Sequence, residues 1–203
     1  MTVRRILALM VLAAGMDTAP AVAQNASSRW LALGVTTSVT SGHSMHEADS
    51  DALIGKTGSR PGIGFEVRGQ LGPRFGVALT GDYVFKTGDG PLREGGRAQS
   101  EWDVFLNTHG AARVYVGGVV GAEYAAYDGL SGGQPFQGTR LGLGPLAGVL
   151  LRLGQRARLG VSAEYLLGTS PYTRTFKDGA GDPPNIATAG TLVIKARMLF
   201  MVQ

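Results

Sequence analysis

The sequence predicts an all-β fold of eight antiparallel strands joined up-and-down. Three observations carry that reading. Eight segments alternate apolar and polar residues, their connections alternate between short and long, and one face of every segment is free of charge in its interior.

In chain order, WLALGVTTSV (30–39) turns Leu31, Leu33 and Val35 to one side, because successive strand side chains point to opposite faces. PGIGFEVRGQL (61–71) sets Ile63, Phe65 and Val67 against Glu66 and Arg68. FGVALTGDYVF (75–85) sets Val77, Leu79 and Tyr83 against Asp82, and EWDVFLNTH (101–109) opposes Trp102, Val104 and Leu106 to Asp103. ARVYVGGVVGAEY (112–124) divides Val114, Val116 and Val120 from Arg113 and Glu123. RLGLGPLAGVLLRL (140–153) divides Leu141, Leu143 and Val149 from Arg152. ARLGVSAEYLL (157–167) separates Leu159, Val161, Ala163 and Tyr165 from Arg158 and Glu164. GTLVIKARMLFMV (190–202) separates Leu192, Ile194 and Met198 from Lys195 and Arg197.

Residues 72–74, 110–111 and 154–156 are tight connections, whereas 40–60, 86–100, 125–139 and 168–189 are long. In an up-and-down sheet this order puts every long loop at one end, the arrangement of a membrane barrel with short inner turns and longer outer loops. A soluble barrel of the lipocalin kind would hide its apolar face and wet the charged one. The aromatic residues favour the reverse. Tyr83, Phe85, Trp102, Tyr124 and Tyr165 are expected near the long-loop end of the apolar face, with Phe75 and Phe200 near the turn end, as two interfacial girdles. The predicted fold is an eight-stranded antiparallel up-and-down transmembrane β-barrel.

Composition agrees. Cysteine is absent, which excludes a disulfide framework and thiolate metal sites. The net charge of +4 includes no basic block suited to nucleic acid. Glycine reaches 32 residues of 203, about twice its usual share. Residues 1–23 read as a cleaved signal peptide: a basic MTVRR start, an apolar run from Ile6 to Met16, and the small-x-small site Ala21-Val22-Ala23. The expected mature barrel domain is 24–203, exported to a bacterial outer membrane.

The pattern over 30–202, with the export signal before it, resembles the small eight-stranded outer-membrane barrels of the OmpA/OmpX type. The resemblance implies a Gram-negative envelope, assembly by the barrel-assembly machinery, contact with outer-membrane lipid and lipopolysaccharide, and a monomer. Such chains usually end on an aromatic residue, whereas this one ends LFMVQ, with Phe200 short of the terminal Gln203.

Eleven charged residues are expected in the lumen: Glu66, Arg68, Asp82, Asp103, Arg113, Glu123, Arg152, Arg158, Glu164, Lys195 and Arg197. Five acids face six bases, which suits a self-neutralising plug, since a buried charge needs a partner. Asp82, Asp103, Glu123 and Glu164 are expected toward the long loops, and Arg68, Arg113, Arg152, Arg158 and Arg197 nearer the turns. Glu164 and Lys195 are the pair expected to meet. Lumen positions such as Thr80 are expected to tolerate added charge. Gly117, Gly121, Gly142, Gly144 and Gly148 face the lumen too, and serve tight curvature rather than a ligand cavity.

Other chemistry is poorly supported. His43, Ser44, His46, Glu47, Asp49 and Asp51 match no metal-binding spacing and read as a polar loop. A lipid A deacylase would need Ser, His and an acid together on the lipid-facing surface. His43-Ser44 is in a loop, and His109 lies at the turn end. No catalytic residue, metal or cofactor is assigned. The expected function is structural or adhesive, with loops meeting lipopolysaccharide or an external partner; a narrow porin-like channel is the alternative, and a lipid A-modifying enzyme a further one. Lys86, Arg93, Arg97, Arg174 and Lys177 are candidates to pair with lipid phosphates.

Overall fold

The computed structural model describes residues 29–42, 44–47, 53–86, 92–127, 136–168, 173–175, 186–188 and 190–202. The signal segment and its Ala23–Gln24 bond lie outside them, as do His43, Asp49, Asp51 and Lys177.

Eight strands form the barrel: β1 (Trp30–Thr40), β4 (Arg60–Gln70), β5 (Phe75–Val84), β6 (Leu92–Phe105), β7 (Ala112–Tyr127), β8 (Phe136–Leu153), β9 (Ala157–Gly168) and β12 (Thr191–Val202). Each pairs antiparallel with its neighbour in that order, and β12 returns to β1 from Leu31↔Val202 to Thr40↔Val193. Closure leaves none of the eight barrel strands at an edge, which a bilayer requires because hydrocarbon cannot satisfy free N–H and C=O groups. Both ends of the barrel chain, Trp30 and Val202, meet at the short-turn end. Two of those turns use a glycine with positive φ, Gly110 (105°) and Gly154 (79°), a conformation that side chains with a Cβ disfavour.

Four short strands belong to the long-loop side. β2 (Ser44–Glu47), β3 (Leu53–Lys56) and β11 (Ile186–Thr188) form a separate three-stranded sheet. β10 (Thr173–Thr175) pairs with the outer extension of β8 at residues 137–139. The first loop is therefore partly ordered as strand rather than a plain polar loop, since its segment 44–47 finds pairing partners in β3 and β11.

The fourth barrel strand departs from the sequence expectation. It begins at Leu92, not at residue 101, and ends at Phe105. Gly95 and Gly96 disguised its first half as loop. A register shift between Leu92 and Glu94 also breaks the period-two pattern there. The earlier start relocates two predicted features. Trp102 pairs with Val77, two positions from the Phe75 end, so it joins the turn-side girdle. Asp103 pairs with Gly76 and also lies toward the turns.

Burial is inverted relative to a soluble protein. Phe65 is 67% exposed and Leu79 59%, with Leu33, Val35, Ile63, Leu143, Val161 and Ile194 exposed around the same outer face. Thirteen charged side chains are buried inside, among the described residues. A lipocalin-like arrangement would show the opposite assignment. Only an apolar surrounding medium makes this outer surface favourable.

Candidate functional site: the ion pairs filling the lumen

Lys195 and Arg197 alternate with apolar residues in β12, and their strand period sends both inward beside buried Val193 and Leu199. Lys195 Nζ lies 3.1 Å from Glu164, 3.2 Å from Glu101 and 3.7 Å from Asp82. It also donates to Thr80 at 3.3 Å and to Gln99. The Arg197 guanidinium lies 2.9 Å from Glu101, 3.2 Å from Glu66 and 3.9 Å from Glu164, and donates to Ser162 Oγ. Arg68 joins from β4, bound to Glu66 and Glu101 at 2.5 Å each and to Asp103. Lys195, Arg68 and Glu101 are each 0% exposed, so these side chains fill the centre of the lumen.

Glu101 is the hub, touched by Arg68, Lys195 and Arg197. It was absent from the sequence-predicted set although it shares the face of Asp103 two residues away. The same period, continued backwards, leads to Gln99 and Arg97. Arg97, expected among the loop cations, is buried in the lumen, 3.9 Å from Asp82 and donating to Thr40 Oγ1 at 2.9 Å. Arg60 and Arg140 were missed too. They flank Glu123 at 3.6 Å and 2.8 Å. Both sit in inward register, but at strand ends that the sequence reading placed at loop boundaries.

Two predicted members are elsewhere. Arg152 is exposed beyond the last inward turn of β8 and donates to the Gly154 carbonyl at 3.0 Å. Arg158 is half-buried at the turn-end mouth, its guanidinium 4.4 Å from the centre of the Trp30 ring. Arg113 also sits at that mouth, over Phe105 at 3.9 Å, and donates to Gln70 and to the Pro73 carbonyl. The expected separation of acids and bases along the axis is thereby corrected. Arg60, Arg97 and Arg140 stand at the loop end, and Asp103 toward the turns, so opposite charges interleave.

Apolar side chains complete the filling. Phe105 and Tyr115 meet edge to face, 5.7 Å between centroids, with Ala32, Leu150 and Leu199 beside them. The lumen glycines make room for these large groups. A Cβ on Gly148 would come within 2.4 Å of the Tyr115 ring, and one on Gly160 within 2.6 Å of the Arg197 stem. Gly117 and Gly144 serve close strand approach instead, because a Cβ there would fall 1.9 Å and 1.8 Å from a neighbouring carbonyl oxygen. Gly121 and Gly142 border a cavity of about 10 Å³ beside Arg97, Glu123 and Arg140, room for about one water.

No protein-family model matches the chain, and no curated protein matches it significantly in sequence. Solved structures do. Neisserial surface protein A (NspA) aligns with a TM-score of 0.53 at 15% identity, over 81% of this chain and 95% of that one. The outer membrane protein OprG from Pseudomonas aeruginosa aligns with a TM-score of 0.50 at 13% identity, over 87% and 97%. At such identities the likeness concerns architecture, and in architecture this chain is a small eight-stranded barrel of the outer-membrane type.

Proposed function

We propose that this chain is an outer-membrane barrel that works through its loops, anchoring four connections at the cell surface in a structural or adhesive role toward lipopolysaccharide or an external partner. The observation that carries this reading is the filled lumen. Buried side chains with no accessible surface block the axis, and the cavity near the loop end has room for about one water. An eight-stranded barrel is just wide enough to be filled by its own side chains, and this one is. On this reading residues 1–23 act as the export signal and Gln24 begins the mature chain. Among the loop-side cations, Lys86 and Arg93 are exposed and free to meet lipid phosphates, although Arg93 also lies 3.7 Å from Glu94.

The narrow-channel alternative needs a path past Lys195 and Arg68, and a deacylase needs Ser, His and an acid together on the lipid-facing barrel surface near the outer leaflet. His109 is at the turn end, its Nδ1 2.8 Å from Thr108 Oγ1, and His46 belongs to the separate loop-side sheet rather than to a barrel strand. Planar-bilayer recording of the purified chain tests the reading. A flat baseline is expected, and long-lived unitary steps in the unmodified protein would transfer the function to solute passage.

A further inference from the structure

The short-turn end carries arginines and no described carboxylate outside the lumen. Arg29 precedes β1, Arg74 lies between β4 and β5, and Arg152, Arg156 and Arg158 crowd the β8–β9 hairpin. Asp103, the carboxylate near this end of β6, is held inside by Arg68. Arg152 and Arg158 are direct cross-strand partners, a like-charge pair that destabilises a sheet unless an anion joins it. Arg152 is satisfied by a backbone carbonyl and Arg158 by a ring face, and among the described residues neither is paired with an acid.

Height along the barrel identifies the anion. Leu71, Leu106 and Leu153 are exposed at the edges of the turns, with Phe75, Trp102 and Phe200 close by. The apolar band thus reaches the turns themselves, and Arg74 and Arg156 each follow an exposed leucine by three residues. Both arginines are exposed and lie beyond the last exposed leucine of their strands, on the headgroup side of the apolar band. All five cations are arginine, whose planar fork binds phosphate in a bidentate way that lysine cannot.

We propose that this end binds the headgroup phosphates of anionic phospholipids in the leaflet facing the short turns, centred on Arg152, Arg156 and Arg158. The proposal rests on the bilayer-spanning reading. Each cation at an anionic surface contributes about fivefold in partition, and salt screens the effect.

The test uses the full chain folded in detergent micelles with equal phosphatidylglycerol and phosphatidylcholine, retained lipids being counted by native mass spectrometry. The unmodified chain is expected to retain phosphatidylglycerol by about tenfold or more over phosphatidylcholine. R152Q/R156Q/R158Q should fall toward parity, as should the unmodified chain in high salt. R156Q alone, in an exposed turn, should lose about fivefold if the triple variant fails to fold. A heat-modifiability gel run on the same samples separates the two readings. An unmodified chain that shows no folded band sinks the bilayer-spanning reading and the lipid site with it. A folded chain without lipid preference, or one whose preference survives the glutamine substitutions, overturns the lipid site alone.

Discussion

Lys195 Nζ lies 3.1 Å from Glu164 Oε1 across the β9–β12 seam, both side chains 0% exposed. The two residues are not direct partners in register, since Glu164 opposes Val193 and Lys195 opposes Ser162. They meet on the diagonal. Removing one member leaves a buried charge short of a partner, which costs about 3–5 kcal/mol. Glu164→Ala and Lys195→Ala are each expected to destabilise the barrel in reversible urea unfolding from lipid vesicles. The double variant should lose less than the sum, by about 0.5–3 kcal/mol of coupling. Strict additivity would remove the pair from the network.

Glu101 should matter more than any other lumen carboxylate because three cations converge on it. Glu101→Gln preserves shape and removes the charge. A loss of about 3–5 kcal/mol is expected, read as a lower heat-modifiability temperature and a lower urea midpoint. The control is Glu94→Gln, whose partner Arg93 lies 3.7 Å away on the exposed loop side, and about 0–1 kcal/mol is expected there. Similar losses for the two would contradict the hub.

Adjacent glycines in β7 should respond in opposite ways. Gly117→Ala drives a methyl to 1.9 Å from the Trp102 carbonyl oxygen, whereas the nearest atom to a methyl on Gly118 is 3.8 Å away. Gly117→Ala is expected to lower the folded yield in vesicles, and Gly118→Ala to leave it within experimental scatter. Equal yields would mean that strand spacing there is looser than described.

Charge placed on the outer face should be poorly tolerated. Leu79→Arg, at an exposed outward position midway along β5, is expected to cost about 2–4 kcal/mol in a bilayer. Thr80, its inward neighbour, is buried and accepts a hydrogen bond from Lys195 at 3.3 Å. A lysine there would stand against Lys195, so Thr80, contrary to the expectation from sequence, is a poor site for added positive charge. Thr80→Val, which removes the acceptor without adding charge, should cost less than Leu79→Arg in the same unfolding assay.

The architecture was legible in the sequence because one signal, period two, repeats in all eight strands. Outward Leu79 and inward Asp82 follow from counting alone. Legibility failed where that count was interrupted. Gly95, Gly96 and the register shift near Arg93 hid the first half of β6, and with it Arg97 and Gln99, while Glu101 was passed over as the first residue of the expected strand. Arg60 and Arg140 were lost at strand ends, where a loop cation and a lumen cation look alike. Arg152 was misplaced for the converse reason: its register is inward, but the lumen ends before it does. Pairing between strands distant in sequence, such as Arg68 with Glu101, depends on barrel closure and lies beyond any local pattern.

Every ion pair in the lumen depends on the inside-out assignment of faces, and the absence of cysteine makes that assignment directly measurable. Single spin labels at Phe65, Val77 and Leu79, introduced through cysteine substitutions in vesicle-reconstituted protein, report collision with dissolved oxygen and with a water-soluble nickel chelate. The lipid-facing assignment predicts high oxygen and low nickel accessibility at all three positions. High nickel accessibility at Phe65 and Leu79 in folded protein would place that face in water and contradict it.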